Sequence, residues 1–167
     1  MGTMDYRIRK ATKSDIQDLA LIYHSSWKFA YNGIIDRSFL DSMSLDKRIE
    51  KFNSMENIPE YLFEYRGKIA GCSRLIDSRD GDLECCAEIQ TIYFLPEYTG
   101  MGFGILFLEE LKVIAIKNKY RHMIVWCLSD NSKAIRAYEK AGFHKDNNRS
   151  IEIGNQILQE TRFRYDL

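Results

Sequence analysis

The stretch from Ala87 to Leu111, AEIQTIYFLPEYTGMGFGILFLEEL, predicts a strand, a glycine-rich loop and a helix in direct succession. Residues 88–95 alternate and are rich in Ile, Thr, Tyr and Phe, which favour a pleated, mostly buried strand. Pro96 lacks a backbone N–H group and is expected to end that strand. From Phe103 onward the apolar residues recur at helical spacing, so a helix is expected to follow the loop.

Three glycines, Gly100, Gly102 and Gly104, occupy alternate positions between the predicted strand and the predicted helix. Because glycine has no Cβ atom, a ligand can approach the backbone N–H groups closely. The beginning of a helix adds unpaired donors and a positive dipole end. This combination predicts a site for a phosphate or pyrophosphate group, and a plain turn is the alternative.

Two common nucleotide-binding motifs do not fit this loop. The chain contains no GxxxxGK[ST] string, which a P-loop requires. A dinucleotide-binding fold places its glycines directly after the strand and an acidic residue about 20 positions later. Here the LPEYT segment intervenes, and the sequence around Ile124 offers no carboxylate.

A second segment, NSKAIRAYEKAGF from Asn131 to Phe143, carries a further motif. Together with Thr99–Gly104 it resembles the two signature regions of the GNAT N-acetyltransferase superfamily, in the same order and separation. Gly102 and Gly104 match the acyl-CoA signature Q/R-x-x-G-x-G/A. Thr99 differs, because the family has Gln or Arg there to assist in binding the pyrophosphate. The likeness extends over most of the chain.

The resemblance implies an α/β fold in which a mixed, mostly antiparallel sheet is flanked by helices and splayed at its central strands. We expect residues 4–167 to form one N-acetyltransferase domain and residues 1–3 to be an expression remnant. The residue patterns predict a strand over 6–10, a helix after a Thr12–Asp15 capping box, a hairpin turn at 66–68, a strand over 122–128, and last strands near 143–146 and 156–166.

The resemblance also implies acetyl-CoA as cosubstrate, without a metal, and it assigns residues to that ligand. They are Ile92, Tyr93, Phe94, Thr99, Gly100, Met101, Gly102, Phe103, Gly104, Asn131, Ala134 and Tyr138. In the family, the asparagine that matches Asn131 holds the pantetheine arm, and the tyrosine that matches Tyr138 protonates the departing sulfur. A phenol of pKa near 10 can protonate a thiolate whose acid has a pKa near 8.5 at a cost of only about 2 kcal/mol. A local interpretation instead makes Asn131 a helix cap and Tyr138 an aromatic residue at the core edge.

The acceptor side requires a different kind of residue, because an alkyl ammonium group must lose a proton before it attacks. Glu88 has the spacing before Gly102 of the catalytic glutamate in the histone-modifying branch of the family, and it is the predicted base, directly or through water. An exposed glutamate at the beginning of a strand is the alternative. Residues 26–36 resemble the acceptor segment of bacterial polyamine acetyltransferases, so Trp27 and Tyr31 are predicted to contact the amine. Core packing is the alternative for Trp27.

Charge and composition exclude several classes of protein. Basic and acidic residues balance at 24 each, so neither a nucleic-acid partner nor an anionic membrane surface is expected. No apolar run approaches about 18 residues, and no leader peptide is expected. The four cysteines, Cys72, Cys85, Cys86 and Cys127, lack metal or redox spacing. We expect them to be reduced core residues of a cytoplasmic protein.

The sequence therefore predicts an acetyl-CoA-dependent N-acetyltransferase that acts by direct transfer on a primary amine, with a small molecule such as a polyamine as the expected acceptor. No cysteine or serine lies in a typical nucleophile setting, which disfavours an acyl-enzyme. A protein N-terminal or lysine acetyltransferase is one alternative. A non-catalytic module that senses acyl-CoA is another, which the presence of Tyr138 disfavours. The oligomeric state stays open, with a homodimer as one option.

Overall fold

The computed structural model describes residues 5–167, so the expectation for residues 1–3 lies outside the described part of the chain. Its strands are β1 (Tyr6–Lys10), β2 (Glu60–Tyr65), β3 (Lys68–Asp77), β4 (Cys86–Phe94), β5 (His122–Leu128), β6 (His144–Ile153) and β7 (Gln156–Asp166). Its helices are α1 (Ile16–Ala30), α2 (Arg37–Ser42), α3 (Leu45–Asn53), α4 (Phe103–Lys117) and α5 (Ser132–Lys140). The strands form one mixed sheet in the order β1-β2-β3-β4-β5-β7-β6. This confirms the predicted α/β fold.

The first half of the sheet follows the local signals closely. The Thr12 N–H donates to Asp15 Oδ2 at 2.8 Å, and the predicted capping box leads into α1. Arg66 and Gly67 have φ angles of 49° and 73° and form the tight turn between β2 and β3. This is the predicted hairpin, in which both turn residues adopt positive φ.

The sheet splays between β4 and β5, which are parallel neighbours. Only Cys86–Glu88 of β4 pair with His122–Ile124 of β5, although both strands continue toward their carboxyl ends. At this point the register between β3 and β4 skips one residue of β4, Gln90, between the pairs at Ile89 and Thr91. Such a β-bulge bends the strand and increases its twist. The bulge therefore accounts for the separation of β4 from β5.

Helices cover both faces of the sheet. Helices α1 and α3 pack against β2 and β3 in a cluster that includes Leu19, Phe52 and Leu62. Helices α4 and α5 pack on the opposite face in a larger cluster that includes Phe107 and Tyr138. The space where β4 and β5 separate therefore lies between the two helical layers.

Two expectations about the elements were wrong. The strand predicted near 143–146 extends over His144–Ile153, where most side chains are exposed. This strand lies at the edge of the sheet next to β7, so its pairing holds it in place without an apolar alternation in the sequence. Cys85 is exposed and has a φ of 50°, whereas Cys72, Cys86 and Cys127 are buried as expected, and all are free thiols.

Two further features are absent within residues 5–167. None of the helices there combines the length and the apolarity that a membrane span needs. No group of three or more His, Cys, Asp or Glu side chains in that range is arranged to hold a metal ion.

Candidate active site

The glycine-rich loop opens α4 with a backbone conformation that glycine adopts easily. Gly100 and Gly102 have φ angles of 78° and 81°, and Gly102 is the N-cap of α4. A Cβ atom on Gly102 or Gly104 would meet no protein atom within 4 Å. Packing within the protein therefore does not require the small residues. They instead leave space in front of the first N–H groups of the helix.

Thr99 has a local role in this loop. Its Oγ1 donates to the Pro96 carbonyl at 2.8 Å and closes the turn that precedes the glycines. The position at which the resemblance implies Gln or Arg thus carries a short side chain that is already hydrogen-bonded. Charge for a bound phosphate has to come from another element.

A cavity of about 760 Å³ lies where β4 and β5 separate. The glycine-rich loop, the ends of β4 and β5, the beginning of α5 and the end of α1 line it. Its volume is in the range of small-molecule sites in proteins, about 300–1,000 Å³. Met101 does not line the cavity. The other predicted cofactor-binding residues do: Ile92, Tyr93, Phe94, Thr99, Gly100, Gly102, Phe103, Gly104, Asn131, Ala134 and Tyr138.

The end of β4 forms one wall of this cavity. Ile92, Tyr93 and Phe94 follow the bulge, and β5 no longer pairs with them. Backbone groups on that edge can therefore hydrogen-bond a ligand and polarise its carbonyl group. Ser26 Oγ donates to the Phe94 carbonyl at 2.7 Å, which attaches the end of β4 to α1.

Tyr138 projects from α5 into the opposite wall. Only 6% of the residue is exposed, and its ring packs against Phe163 with a centroid distance of 5.6 Å. Burial raises the pKa of Tyr138 well above its usual value, and the nearby Cys127 and Tyr93 add to the effect. The phenol is therefore protonated at neutral pH, as a proton donor must be.

Two neighbours of Tyr138 complete this wall. Asn131 Oδ1 accepts a hydrogen bond from the Ala134 N–H at 3.3 Å, so Asn131 is the helix cap of the local interpretation and also lines the cavity. Cys127 lines the cavity as well, and burial raises the pKa of its thiol to about 12. Such a thiol carries almost no thiolate at neutral pH, which argues against a nucleophilic Cys127.

Trp27 and Tyr31, the residues predicted to contact the amine, differ in their position relative to the cavity. Tyr31 lines the cavity, and Trp27 does not. Trp27 packs edge-on against Tyr31 with a centroid distance of 4.9 Å, and its Nε1 donates to the Tyr93 hydroxyl at 3.0 Å. Trp27 therefore holds two tyrosines in the wall, which is the core-packing alternative considered for it.

Glu88, the predicted base, lies outside the cavity lining. Its side chain is 2% exposed and forms an ion pair with Arg79. The backbone N–H and the Nε of Arg79 both donate to Glu88 Oε2 at 3.1 Å. Neither the predicted contact with an amine nor the exposed position of the alternative matches this arrangement. The geometry gives the catalytic prediction for Glu88 no support.

Comparisons with known proteins decide the family. The sequence profile of the acetyltransferase (GNAT) family matches residues 19–143, well over half of the chain. The chain belongs to the GNAT family. An N-acetyltransferase of Bacillus subtilis, YuaI, is 25% identical over 92% of this chain and 88% of its own. A spermidine N(1)-acetyltransferase of Thermoplasma acidophilum is 24% identical over 96% of this chain and 99% of its own.

Solved structures agree with this GNAT fold. The PaiA N-acetyltransferase of Thermoplasma acidophilum, in complex with coenzyme A, has a TM-score of 0.75 at 22% identity and covers 98% of this chain and 100% of its own. The YncA acetyltransferase of Salmonella typhimurium, with acetyl-CoA, has a TM-score of 0.72 at 21% identity and covers 96% and 93%. The predicted family, fold and enzyme class are confirmed.

This GNAT enzyme is an acetyl-CoA-dependent N-acetyltransferase, and its cavity fits that cosubstrate. The glycine-rich loop offers N–H groups with open space in front of them. The unpaired edge of β4 offers further backbone groups, and Asn131 and Tyr138 face them across the cavity. When bound, acetyl-CoA supplies an acetyl group activated as a thioester.

Three cations that no sequence motif predicted also line the cavity of this acetyltransferase. Lys133, Arg136 and Lys140 of α5 all line the cavity, whereas Asp130 is the carboxylate that lines it. Their spacing of three and four residues places them on one side of the helix. That spacing was visible in the sequence, but it is equally typical of a solvated helix face.

Proposed function

We propose that this acetyltransferase transfers the acetyl group directly to a small primary amine, with a polyamine such as spermidine as the first acceptor to test. The position of Tyr138 carries the proposal. A protonated, buried phenol shares one cavity with the glycine-rich loop and the open edge of β4. Tyr138 holds the proton that a departing thiolate needs, and binding alone would not require such a donor. The high pKa of Cys127 supports direct transfer over an acyl-enzyme.

The segment after α1 supports a small acceptor over a protein. Gln156 on β7 accepts a hydrogen bond from the Asp36 N–H at 2.9 Å and donates to the Ile34 carbonyl at 3.2 Å. Phe39 of α2 packs against Gly154, where a Cβ atom would approach the ring to 2.9 Å. These contacts hold the α1–α2 segment over the acceptor side of the cavity. A folded protein surface would have to displace it.

Solvent in the open cavity receives the amine proton in this proposal. Both hydrogen bonds of Glu88 Oε2 are to Arg79, which makes Glu88 a structural ion-pair partner at the beginning of the β4–β5 separation. The reactive fraction of an alkyl amine of pKa near 10 then grows with pH. The rate at subsaturating amine is expected to rise about tenfold per pH unit between pH 7 and 9.

The cations of α5 are proposed to replace the missing Gln or Arg at Thr99. Lys133, Arg136 and Lys140 face the same cavity as the glycine-rich loop, and three cations against one carboxylate favour the phosphates of acetyl-CoA. Lys133 also lies over the Phe29 ring at 5.4 Å, so the distal pair is the better choice for mutation.

Release of coenzyme A thiol with a panel of acceptors tests the function. We expect turnover with spermidine or another small primary amine, and none with tertiary amines of the same size, which have no N–H to replace. Turnover restricted to peptides with a free N-terminus or lysine would replace the proposal with a protein acetyltransferase. Binding of acetyl-CoA without thiol release from any amine would replace it with an acyl-CoA sensor.

We also propose a cellular location and an association state for the protein. The free thiols of Cys72, Cys86 and Cys127 support a reducing location such as the cytoplasm. Association as a homodimer is the option to check by light scattering on the purified chain.

A further inference from the structure

A buried polar network crosses three strands beside the β4 bulge. Glu60 on β2 is fully buried and forms an ion pair with Arg74 on β3, whose Nε donates to Glu60 Oε1 at 2.9 Å. The Tyr23 hydroxyl of α1 donates to the same Oε1 at 3.0 Å. Tyr23 in turn lies 2.9 Å from Thr91 Oγ1 on β4, and Thr91 lines the cavity.

The protons of this network have a fixed direction. A phenol has a single proton, and Tyr23 gives it to Glu60. The hydroxyl of Thr91 must therefore donate to the Tyr23 oxygen. Thr91 Oγ1 accepts in return from the Arg74 N–H at 3.1 Å. The Thr91 hydroxyl thus donates one hydrogen bond and accepts another.

The main chain of Thr91 is held as well. Ser73, which is fully buried, donates from Oγ to the Thr91 carbonyl at 2.7 Å. Thr91 is the first residue after Gln90, where β4 has its extra residue, and the first β4 residue of the register that continues to Phe94. A buried ion pair is costly and stabilises little by itself, whereas it can impose one arrangement of its neighbours.

We propose that Thr91 is a positioning residue that fixes the bulge and thereby aims the backbone donors of β4 at the thioester carbonyl of acetyl-CoA. The proposal rests on the proposed function of the cavity. Thr91 acts through the backbone of the residues that follow it, and Tyr23, Glu60 and Arg74 act through Thr91. Loss of its hydroxyl removes the hydrogen bonds of β4 to Tyr23 of α1 and to the Arg74 N–H of β3 at the position where the donors begin.

The test compares Thr91→Val, which has nearly the same shape without the hydroxyl, with Thr91→Ser, which keeps the hydroxyl. Acetyl-CoA labelled with ¹³C at the carbonyl is added without an amine, and its carbonyl resonance is followed on binding. A hydrogen-bonded carbonyl shifts downfield. We expect a downfield shift with the natural protein and with Thr91→Ser, and a smaller shift with Thr91→Val.

Kinetics and binding complete the test. A misplaced reacting group can lower the rate by about 100-fold, so kcat of Thr91→Val should fall about 10- to 100-fold while its Kd for coenzyme A, which has no acetyl carbonyl, stays within about threefold. If Thr91→Val does not fold, Tyr23→Phe is measured in its place, because it removes only the Tyr23 hydroxyl from the network. A smaller carbonyl shift and a lower kcat are expected for it as well.

Three results would overturn the proposal. They are an equal carbonyl shift in Thr91→Val and the natural protein, no shift in the natural protein, and an equal loss of affinity for acetyl-CoA and coenzyme A. Failure of the proposed function looks different. In that case no amine yields thiol, but the carbonyl shift still depends on the Thr91 hydroxyl.

Discussion

Tyr138 packs in the core and is also the side chain for which we propose a chemical role. Its ring contacts the aromatic core through Phe143 and Phe163, and the residue lines the cavity, as Tyr93 and Cys127 do. Burial that raises the pKa of the phenol also keeps it protonated. The family resemblance pointed to this residue, and the raised pKa keeps the proton on Tyr138 until a strong base such as a departing thiolate forms, although it also makes this phenol a weaker acid than an ordinary tyrosine.

We expect Tyr138→Phe to lower turnover by about 100- to 10,000-fold, the usual contribution of general acid catalysis. Acetyl-CoA affinity should change little, because the substitution keeps the ring and the donated proton matters only as the thioester breaks. Initial rates and calorimetric titration measure the two quantities. Tyr165→Phe is the matched control: Tyr165 packs against Phe143 at 5.4 Å and lies outside the cavity lining, so its turnover should be unchanged. A Tyr138→Phe protein that binds poorly and unfolds early would make Tyr138 a packing residue.

Asp15 contributes a pH-dependent part of the stability. The Arg9 guanidinium, bound to Asp15 at 2.8 Å, lowers the pKa of that carboxyl from 3.8 to about 2. A pKa that is lower in the folded protein stabilises the fold above the unfolded value and loses that contribution as the pH falls toward 2. We expect Asp15→Asn to lower the free energy of unfolding by about 2 kcal/mol at pH 7 and by progressively less below pH 4. Urea unfolding at several pH values measures this difference.

An exposed ion pair provides the control for Asp15. Asp41 lies 3.5 Å from Arg37, and both side chains are mostly exposed. Asp41→Asn should change the free energy of unfolding by less than about 0.5 kcal/mol at any pH. A pH-independent loss in Asp15→Asn would assign the effect to the capping hydrogen bonds of Thr12 instead of to the charge.

At the beginning of α4, backbone N–H groups are the groups that we expect to bind the phosphates of acetyl-CoA. We expect Gly102→Val to weaken acetyl-CoA binding by at least about 100-fold, because a side chain would occupy the open space before the first N–H groups. The change also strains a φ of 81°, which costs roughly 1–2 kcal/mol. Gly67→Val separates the two effects, since Gly67 has a φ of 73°, equally open surroundings and a place outside the cavity lining. Equal affinity in Gly102→Val and the natural protein would remove the loop from the site.

The cations of α5 can be tested as a group. We expect the double variant Arg136→Gln and Lys140→Gln to bind acetyl-CoA about tenfold more weakly at low salt, because two charges near the phosphates are lost. The salt dependence of its Kd should also be flatter than that of the natural protein. Lys117→Gln, at the other end of α4 and outside the cavity lining, is the control and should bind normally. An unchanged salt dependence in the double variant would mean that Arg136 and Lys140 do not bind the phosphates in place of the Gln or Arg that Thr99 replaces.

Element prediction succeeded where local chemistry decides the structure. The hairpin at Arg66 and Gly67, the capping box of Thr12 and Asp15, and the change from strand to helix at the glycines all depend on residues close in sequence. The edge strand β6 was predicted too short because its polar residues 145–150 take their conformation from β7. Strand β7 follows β6 after only two residues, and pairing with it holds β6 at the sheet edge although the polar side chains of β6 show no apolar period.

At the scale of the whole molecule, the sheet has two parts whose strands pair at one short junction. Strands β1–β4 and β5–β7 meet only where Cys86–Glu88 pair with His122–Ile124. The Arg79–Glu88 ion pair lies at this junction, and the cavity begins beyond it. A ligand in the cavity touches both parts and should stabilise the folded state as a whole.

We expect acetyl-CoA at 100 times its Kd to add about 2.7 kcal/mol to the free energy of unfolding. For a chain of this length the Tm should rise by roughly 5–10 °C. Thermal unfolding followed by circular dichroism measures the shift, with Gly102→Val as the variant in which it should fall to about 1 °C or less at the same concentration. An unchanged Tm in the natural protein would mean that the cavity does not bind the cosubstrate in the folded state.

Sequence patterns were sufficient for the family, the order of most strands and helices, and the change from strand to glycine-rich loop to helix. The strands, the loop and the helices follow from periodicity and from residues close together in the chain, whereas the family and the roles expected for Asn131 and Tyr138 came from the resemblance to the GNAT signatures. The surroundings of Thr91 and of the α5 cations come from residues far away in sequence, whereas Glu88 pairs with Arg79, nine residues before it. Arg79 lies across the β3–β4 connection from Glu88, and Tyr23 and Glu60 reach Thr91 from other elements. Only folding brings such charges and hydroxyls within hydrogen-bonding distance, so the contacts from which we propose roles for Glu88 and Thr91 could be read only from the tertiary structure.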